Sequence, residues 1–216
     1  MRELTENLKK YKGIIFDLDG VIVSTDNCHF EAWKKMADEE GIYFDRIINE
    51  RLRGVSRMES LEIILEKAEK DYTEEEKLEL AQRKNGYYVE KIKGLDESAI
   101  LPGAIEFIYK VKEMGLKTAI GSSSKNTKLI LKQTGCENIF DAVADGNDIQ
   151  NSKPAPDVFL KAAEKLQLEP ALCMVVEDAD AGVEAALNAG MDVLAVGFAS
   201  KNTKATYKAQ GLNTCK

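Results

Sequence analysis

The sequence predicts an α/β protein: a doubly wound parallel sheet with a small helical domain inserted after the first strand. Over residues 101–197, short apolar runs of strand length alternate with amphipathic segments of helix length. This alternation is typical of a parallel sheet covered by helices on both faces. Between residues 26 and 94, apolar side chains recur only at helical spacing. We therefore expect a core domain from residues 1–25 and 95–216, and a helical cap domain from residues 26–94.

Five apolar runs are predicted to form the strands of the core domain. The first, Gly13-Ile14-Ile15-Phe16, is apolar throughout, which is typical of a parallel strand buried on both faces. The other four cover residues 117–120, 141–144, 172–176 and 193–196. Helices are expected between the runs, with ends at Gly115, near Gly135, at Leu166 and at Gly190. A glycine just past the last helical residue is a common helix end.

The predicted cap contains at least three amphipathic helices. The first begins at Asp26 and carries Phe30, Trp33 and Met36 at helical spacing. Ser56-Arg57-Met58-Glu59 and Thr73-Glu74-Glu75-Glu76 match the capping-box pattern that starts two further helices. Open α/β sheets bind ligands beyond the carboxyl ends of their strands, and the insert follows such an end. We therefore expect the cap to act as a lid.

The composition is that of a globular protein with an acidic balance. Asp and Glu number 37 against 30 Lys and Arg, a formal net charge of −7. Nucleic-acid binding is not expected, because phosphate backbones require a basic face. No apolar run approaches the roughly 20 residues of a membrane helix, and residues 1–10 lack a signal-peptide core. The four cysteines show no metal-ligand spacing. We expect a cytoplasmic monomer with reduced thiols and no membrane partner.

Polar side chains lie just after four of the predicted strands, either at the strand end or in the loop that follows. They are Asp17, Asp19, Ser122, Lys153, Glu177 and Asp178. The first two could by themselves form an exposed acidic turn, but the carboxyl ends of parallel strands converge on one edge of the sheet. Carboxylates suit a hard cation such as Mg²⁺, and a lysine with a hydroxyl suits a phosphoryl group. The set therefore favours phosphoryl transfer, in which a carboxylate can also be the nucleophile.

These four strand ends resemble the four motifs of the haloacid dehalogenase-like phosphotransferases. The resemblance extends from Gly13 to Gly197 and implies a Rossmann-like core with Asp17 as the nucleophile and Asp19 as the acid/base. It implies that Ser122 and Lys153 bind the transferred phosphate. It also implies a Mg²⁺ site whose ligands are Asp17, Asp19, Glu177 and Asp178.

Other stretches resemble the sugar-phosphate mutases of that family. They are residues 25–33, 52–57, 83–85, 122–126 and 152–157. The resemblance implies a set of substrate contacts spread over the cap and the core. These are Thr25, His29, Trp33, Leu52, Gly54, Val55, Ser56, Arg57, Lys84, Ser122, Ser123, Ser124, Lys125, Asn126 and Lys153. It further implies that His29 links cap closure to Asp19.

The cap residues also have ordinary structural interpretations. A lone helical histidine such as His29 is commonly packed or solvated, and Trp33 fits an apolar core. Arg57, in the first turn of a helix, could be exposed. Lys84 borders an apolar stripe, where most lysines are solvated. Ser124 could simply cap a helix, which is compatible with binding an anion.

The resemblance implies a mutase, which must hold a sugar carrying two phosphates. One phosphate would lie at Asp17 with Ser122 and Lys153, and the other at a second site. The second site would consist of Arg57, Ser124, Lys125 and Asn126. The implied reaction interconverts β-glucose 1-phosphate and glucose 6-phosphate through an aspartyl-phosphate and the 1,6-bisphosphate. A sugar-phosphate phosphatase of the same family remains the alternative.

Two functions of other classes are less well supported. A receiver-like signalling domain needs neither a helical cap nor an acid/base such as Asp19. An inactive binding protein is not favoured, because every expected site position carries a competent residue. The sequence departs from the family at Ala179, where many members have a small hydroxyl residue. It also departs after Gly197, where a further strand and a longer helix would be expected and the chain is short and polar.

Overall fold

A six-stranded sheet forms the centre of the protein in the computed structural model, which describes residues 6–215. The strands are β1 (Gly13–Phe16), β2 (Lys117–Gly121), β3 (Ala142–Ala144), β4 (Cys173–Glu177), β5 (Asp192–Ala195) and β6 (Tyr207–Lys208). Their order is β3-β2-β1-β4-β5-β6, and every neighbouring pair is parallel. The chain winds outward from β1 in both directions. The predicted doubly wound α/β class is confirmed.

Besides the helical residues 6–8, eight α-helices accompany the sheet within the described residues. Four lie between residues 26 and 92, namely α1 (Asp26–Glu39), α2 (Arg46–Glu50), α3 (Arg57–Leu65) and α4 (Glu74–Ile92). The other four connect the strands, namely α5 (Ala104–Glu113), α6 (Thr127–Gln133), α7 (Asp157–Leu166) and α8 (Asp180–Asn188). The predicted helix ends agree with these bounds to within a few residues.

Side chains that alternate along the central strands supply the apolar cores on the two faces of the sheet. Ile14 and Phe16 point into one core, which contains Phe107 and Ile108 of α5. Ile15 points into the other, which α7 and α8 cover. All four residues of β1 are buried, as expected for the central strand of a sheet covered on both faces. Burying each large side chain contributes roughly 1.5–3 kcal/mol, so the strand ends are held on a rigid frame.

Helices α1 to α4 pack around an apolar core of their own. It includes Trp33, Met36, Phe44, Leu61 and Leu80. Both predicted capping boxes are present: the Ser56 hydroxyl accepts from the Glu59 amide at 3.2 Å, and the Thr73 hydroxyl accepts from the Glu76 amide at 3.3 Å. This separate core supports our interpretation of residues 26–94 as a domain of their own.

The sequence prediction of five strands was one short. β6 is only two residues long and pairs with β5, which extends the sheet at its edge. Its polar, two-residue run gives no periodic signal, and hydrogen bonds from elsewhere hold the edge together. Asp192 of β5 accepts from the Tyr11 hydroxyl at 2.6 Å and from the Thr206 hydroxyl at 3.0 Å. In the described part of the tail, a single 3₁₀ turn, Leu212–Thr214, follows β6 in place of the longer helix.

Two further sequence expectations concern the whole chain. All four cysteines carry free thiols. Within residues 6–215, no helix combines the length and the apolar character that crossing a membrane requires. Residues 1–5, part of the segment judged to lack a signal core, lie outside the described residues, as does residue 216.

Candidate active site

The polar ends of the central strands meet at one edge of the sheet. β1 lies between β2 and β4, so Asp17, Ser122 and Glu177 lie next to one another at the carboxyl ends of neighbouring strands. Lys153 reaches the same place from the loop after β3. All four of these side chains are buried. The predicted convergence of the strand ends is therefore present in the structure.

Three carboxylates lie together at this edge, and two of them bind one buried cation. Lys153 Nζ donates to Glu177 Oε2 at 2.8 Å and forms an ion pair with Asp17. Oxygens of Asp17, Glu177 and Asp178 lie within 4.8 Å of one another. Burial raises the pKa of Asp17 to about 7, although Lys153 opposes the rise. Burial and the neighbouring Glu177 raise the pKa of Asp178 to about 9.

This electrostatic imbalance fits a divalent metal ion. Three crowded carboxylates with one ammonium group leave excess negative charge, and burial is the main cause of the raised pKa values of Asp17 and Asp178. The donors are all oxygens, which Mg²⁺ prefers. The Asp19 carboxylate lies outside this group of three and accepts a hydrogen bond from the Thr25 hydroxyl. Its inclusion among the metal ligands stays a prediction.

Two glycines make room for the acidic pair, Glu177 and Asp178, at the end of β4. A side-chain carbon on Gly20, which has φ +79°, would overlap the carboxylate of Asp178. One on Gly182, in α8, would overlap the carboxylate of Glu177. A glycine is thus required at each position, because any larger residue would displace a carboxylate.

Asp19 lies at the start of a polar chain that runs into the cap. The Thr25 hydroxyl donates to Asp19 and in turn accepts from the Tyr88 hydroxyl at 3.2 Å. The Tyr88 ring stacks on the His29 ring at a centroid distance of 4.1 Å. His29 Nδ1 lies 2.9 Å from Lys84 Nζ. Burial raises the pKa of Asp19 to about 6, which suits a group that exchanges protons near neutral pH.

The cap side of this chain contains a buried cation. Lys84 is 2% exposed, so the alternative interpretation of a solvated lysine is wrong. Burial and the nearby Arg57 lower its pKa to about 7. The same two effects, burial and the cations Lys84 and Arg57, hold the pKa of His29 well below its usual range. Trp33 belongs to the cap core and also lines the cavity, and its contact with the substrate stays a prediction.

A cavity of about 750 Å³ separates the edge of the sheet from the cap. All of the predicted site residues line it except Thr25, which is buried behind Asp19. The cavity residues contributed by the cap include His29, Trp33, Leu52, Gly54, Val55, Ser56, Arg57 and Lys84. Those contributed by the core include Asp17, Asp19, Ser122, Ser123, Ser124, Lys125, Asn126, Lys153, Glu177 and Asp178.

The loop after β2 presents hydroxyl groups in an ordered turn. Ser122 Oγ accepts from the Ser124 amide and Ser124 Oγ accepts from the Asn126 amide, each at 3.2 Å. The Ser123 hydroxyl is buried and has no hydrogen-bond partner among the described residues. The sequence left open that Ser124 caps the next helix, but its side chain closes only this turn, and α6 has no side-chain cap.

Sequence reasoning missed several cavity residues. Asn49, Ser60, Asn85 and Tyr88 line the cavity without having been assigned to the site. Tyr88 is a buried residue of α4, and the sequence gives no signal for the role of its hydroxyl. Asn49 and Ser60 are isolated polar residues, so only the packing of the cap shows which way they face.

Comparison with known proteins agrees with this geometry. Residues 11–190 match the family model of the haloacid dehalogenase-like hydrolases. The chain therefore belongs to the haloacid dehalogenase-like family, and its fold and phosphotransferase class are those expected from the sequence.

Individual relatives show which members of the family this chain is similar to. A β-phosphoglucomutase of Bacillus subtilis is 45% identical over 188 residues, which are 86% of this chain and 83% of that protein. A crystal structure of a β-phosphoglucomutase from Clostridium difficile superposes with a TM-score of 0.87 at 40% identity, over 95% of this chain and 93% of that one. A phosphorylated-carbohydrates phosphatase of Thermotoga maritima is 32% identical over 84% of this chain and 82% of that protein.

Proposed function

We propose that this protein is a β-phosphoglucomutase that interconverts β-glucose 1-phosphate and glucose 6-phosphate. The 45% identical relative of that name and the two sets of phosphate-competent groups along one cavity support the proposal. Asp17, Ser122 and Lys153 would hold the reacting phosphate. Arg57 would hold the other phosphate together with three residues of the loop after β2, which are Ser124, Lys125 and Asn126.

The observation that carries this proposal is that Arg57 has no acidic partner in the cavity wall. Its guanidinium group is half-buried in the cavity wall and makes no ion pair or hydrogen bond with any described residue. Burial lowers its pKa, which means that its desolvation is not offset by an acidic partner. A second phosphate would supply that partner in bidentate geometry. A phosphatase acting on a monophosphate would need no such group.

In the first half-reaction, phosphorylated Asp17 would transfer its phosphoryl group to the 6-hydroxyl of β-glucose 1-phosphate. The sugar oxygen attacks phosphorus, Asp19 accepts the hydroxyl proton, and the bond between phosphorus and Asp17 breaks. The product is the 1,6-bisphosphate, with Asp17 as a free carboxylate. Thr25 orients Asp19 through its hydrogen bond, and the raised pKa of Asp19, about 6, suits this exchange.

In the second half-reaction, the bisphosphate turns over and Asp17 attacks the phosphorus at C1. Asp19 returns its proton to the departing oxygen, which releases glucose 6-phosphate and leaves Asp17 phosphorylated. Lys153 neutralises charge at the reacting phosphate. A Mg²⁺ ion held by the carboxylates of Asp17, Glu177 and Asp178 would neutralise more of the charge that develops on the phosphoryl oxygens.

We further propose that residues 26–94 form a lid that excludes water from phosphorylated Asp17. Hydrolysis of this intermediate would otherwise compete with transfer to the sugar. The proposed setting is the cytoplasm, with a monomeric protein, a sugar phosphate as ligand and no nucleic-acid or membrane partner.

A ³¹P NMR time course tests this function. Purified protein is mixed with Mg²⁺, β-glucose 1-phosphate and a trace of the 1,6-bisphosphate. We expect the sugar-phosphate signal to convert to that of glucose 6-phosphate with little free phosphate. Dominant release of inorganic phosphate would instead establish the alternative, a sugar-phosphate phosphatase, which the 32% identical relative favours.

Replacing the nucleophile provides the second test. Asp17→Asn keeps the shape of the side chain but removes the attacking carboxylate, so we expect turnover to fall about 10³-fold or more. Asp38→Asn, on the exposed face of α1, is the matched control and should retain full activity. Substantial mutase activity in Asp17→Asn would exclude the aspartyl-phosphate mechanism.

A further inference from the structure

Two side-chain hydrogen bonds join residues 26–94 to the rest of the described chain. One, from Tyr88 to Thr25, lies next to the connection between the cap and the core. The other runs from Asn126 Nδ2 to Asn85 Oδ1 over 3.1 Å. Asn85 lies on α4, seven residues before the helix ends, which is roughly 10 Å along the helix axis. The second bond therefore lies on the cavity wall, about one helical turn before Tyr88 on the same helix.

Both partners of this bond face the cavity. Asn126 ends the loop after β2, and its backbone amide is fixed by the Ser124 hydroxyl at 3.2 Å. Asn85 comes directly after the buried Lys84, which contacts His29. The bond thus joins a helix that carries cap groups of the site to the loop that carries the hydroxyls of the proposed second phosphate site.

The chemistry of the pair suggests a role beyond stability. A side-chain amide has two N–H donors, and Asn85 accepts from the amide nitrogen of Asn126. With one donor used by the cap, the plane of the Asn126 amide is fixed and its other donor is free for an anion. Among the described residues, no ion pair joins the cap to the core. This neutral hydrogen bond is therefore not supplemented by an ion pair between the two domains.

We propose that Asn85 is a positioning residue that couples occupation of the second phosphate site to closure of the cap. When the second phosphate binds Asn126, it holds the side-chain amide of Asn126 in the orientation that donates to Asn85. The hydrogen bond to Asn85 then stabilises the closed position of the cap over the reacting phosphate. A bound sugar with two phosphates is thereby favoured over water as the partner of Asp17. This inference rests on the proposed mutase function and names a residue that sets the balance between transfer and hydrolysis.

The test compares Asn85→Ala with the parent enzyme by ³¹P NMR and coupled kinetics. We expect the KM for the 1,6-bisphosphate to rise about tenfold and the fraction of phosphate lost to water to increase severalfold. Hydrolysis of phosphorylated Asp17 in the absence of sugar should be unchanged, because that step does not use the second site. Glu79→Ala, an exposed change on the same helix, is the matched control and should behave like the parent.

A double-mutant cycle separates this role from a general loss of packing. If Asn85 acts through Asn126, the double variant Asn85→Ala/Asn126→Ala should raise the KM no further than Asn126→Ala alone. Fully additive effects, or an unchanged KM in a folded Asn85→Ala, would overturn the inference while the mutase function stands. A parent enzyme that only releases inorganic phosphate would instead refute the proposed function, whatever Asn85 does.

Discussion

At the ends of the central strands, three acidic side chains lie close together beside the ammonium group of Lys153. They are Asp17, Glu177 and Asp178. The sequence could predict that these residues meet, because each follows a strand of a parallel sheet. It could not predict how strongly their pKa values shift, since the shift depends on burial, which only the packed structure provides. Nor could it predict that Thr25 stands behind Asp19, because the hydroxyl gives no periodic signal.

The raised pKa values predict how stability depends on pH. Between the ordinary carboxyl value of 3.8 and the folded values of about 7 for Asp17 and about 9 for Asp178, the folded protein holds protons that the unfolded chain has lost. The free energy of unfolding must therefore fall as pH rises through this window when no metal is bound. Mg²⁺ binds the ionised carboxylates, so its stabilising effect should grow over the same window.

Thermal unfolding with and without Mg²⁺ at pH 5 and pH 8 checks this prediction. At about 100 times its Kd, the ion should contribute about 2.7 kcal/mol at pH 8, or roughly 5–10 °C in Tm, and much less at pH 5. Asp178→Asn should flatten the pH dependence of the metal-free protein and reduce the Mg²⁺ effect. An equal Mg²⁺ effect at both pH values would contradict the assignment of these carboxylates to the metal.

At the scale of elements, helices α3 and α4 begin in the same way but in different surroundings. Each starts with a complete capping box, led by Ser56 in one case and Thr73 in the other. Both boxes could be predicted from sequence, because the signal is local. That Ser56 faces the cavity while Thr73 does not depends on how the cap helices pack, which the pattern of four residues does not encode.

This pair supports a matched prediction. Ser56→Ala and Thr73→Ala should each lower the free energy of unfolding by about 1 kcal/mol, since each removes one cap. Only Ser56→Ala should also raise the KM for the sugar phosphate, because Ser56 precedes Arg57 on the cavity wall. Urea unfolding and steady-state kinetics measure the two effects. An equal rise in KM for Thr73→Ala would mean that cap stability, and not a contact at Ser56, controls binding.

At the scale of the whole molecule, the cap meets the core through a few contacts that involve distant parts of the chain. The Arg53 guanidinium lies 4.1 Å from the ring centroid of Phe198, an exposed residue of the core. Gly54 lies against Ala179, the position at which the sequence departs from the family pattern. The α/β class of the core and the helical character of the cap follow from periodic patterns, but these contacts depend on how two separately packed units meet. Sequence reasoning could therefore not pair Gly54 with Ala179.

The contact at Gly54 leads to a prediction about cap closure. Gly54 has φ +72°, and a side-chain carbon there would lie 2.8 Å from Cβ of Ala179. Gly54→Ala should hinder seating of the cap by about 1–3 kcal/mol, because the added carbon overpacks the contact with Ala179. This cost corresponds to a loss of roughly tenfold or more in mutase turnover and to a larger share of hydrolysis. Gly41→Ala has the same backbone strain at φ +70° but contacts nothing within 4 Å, so it should lower stability without changing that share. Adding Ala179→Gly to Gly54→Ala removes the opposing carbon and should restore part of the turnover. If turnover is not restored, the defect arises from the conformation of the cap loop and not from the contact between the domains.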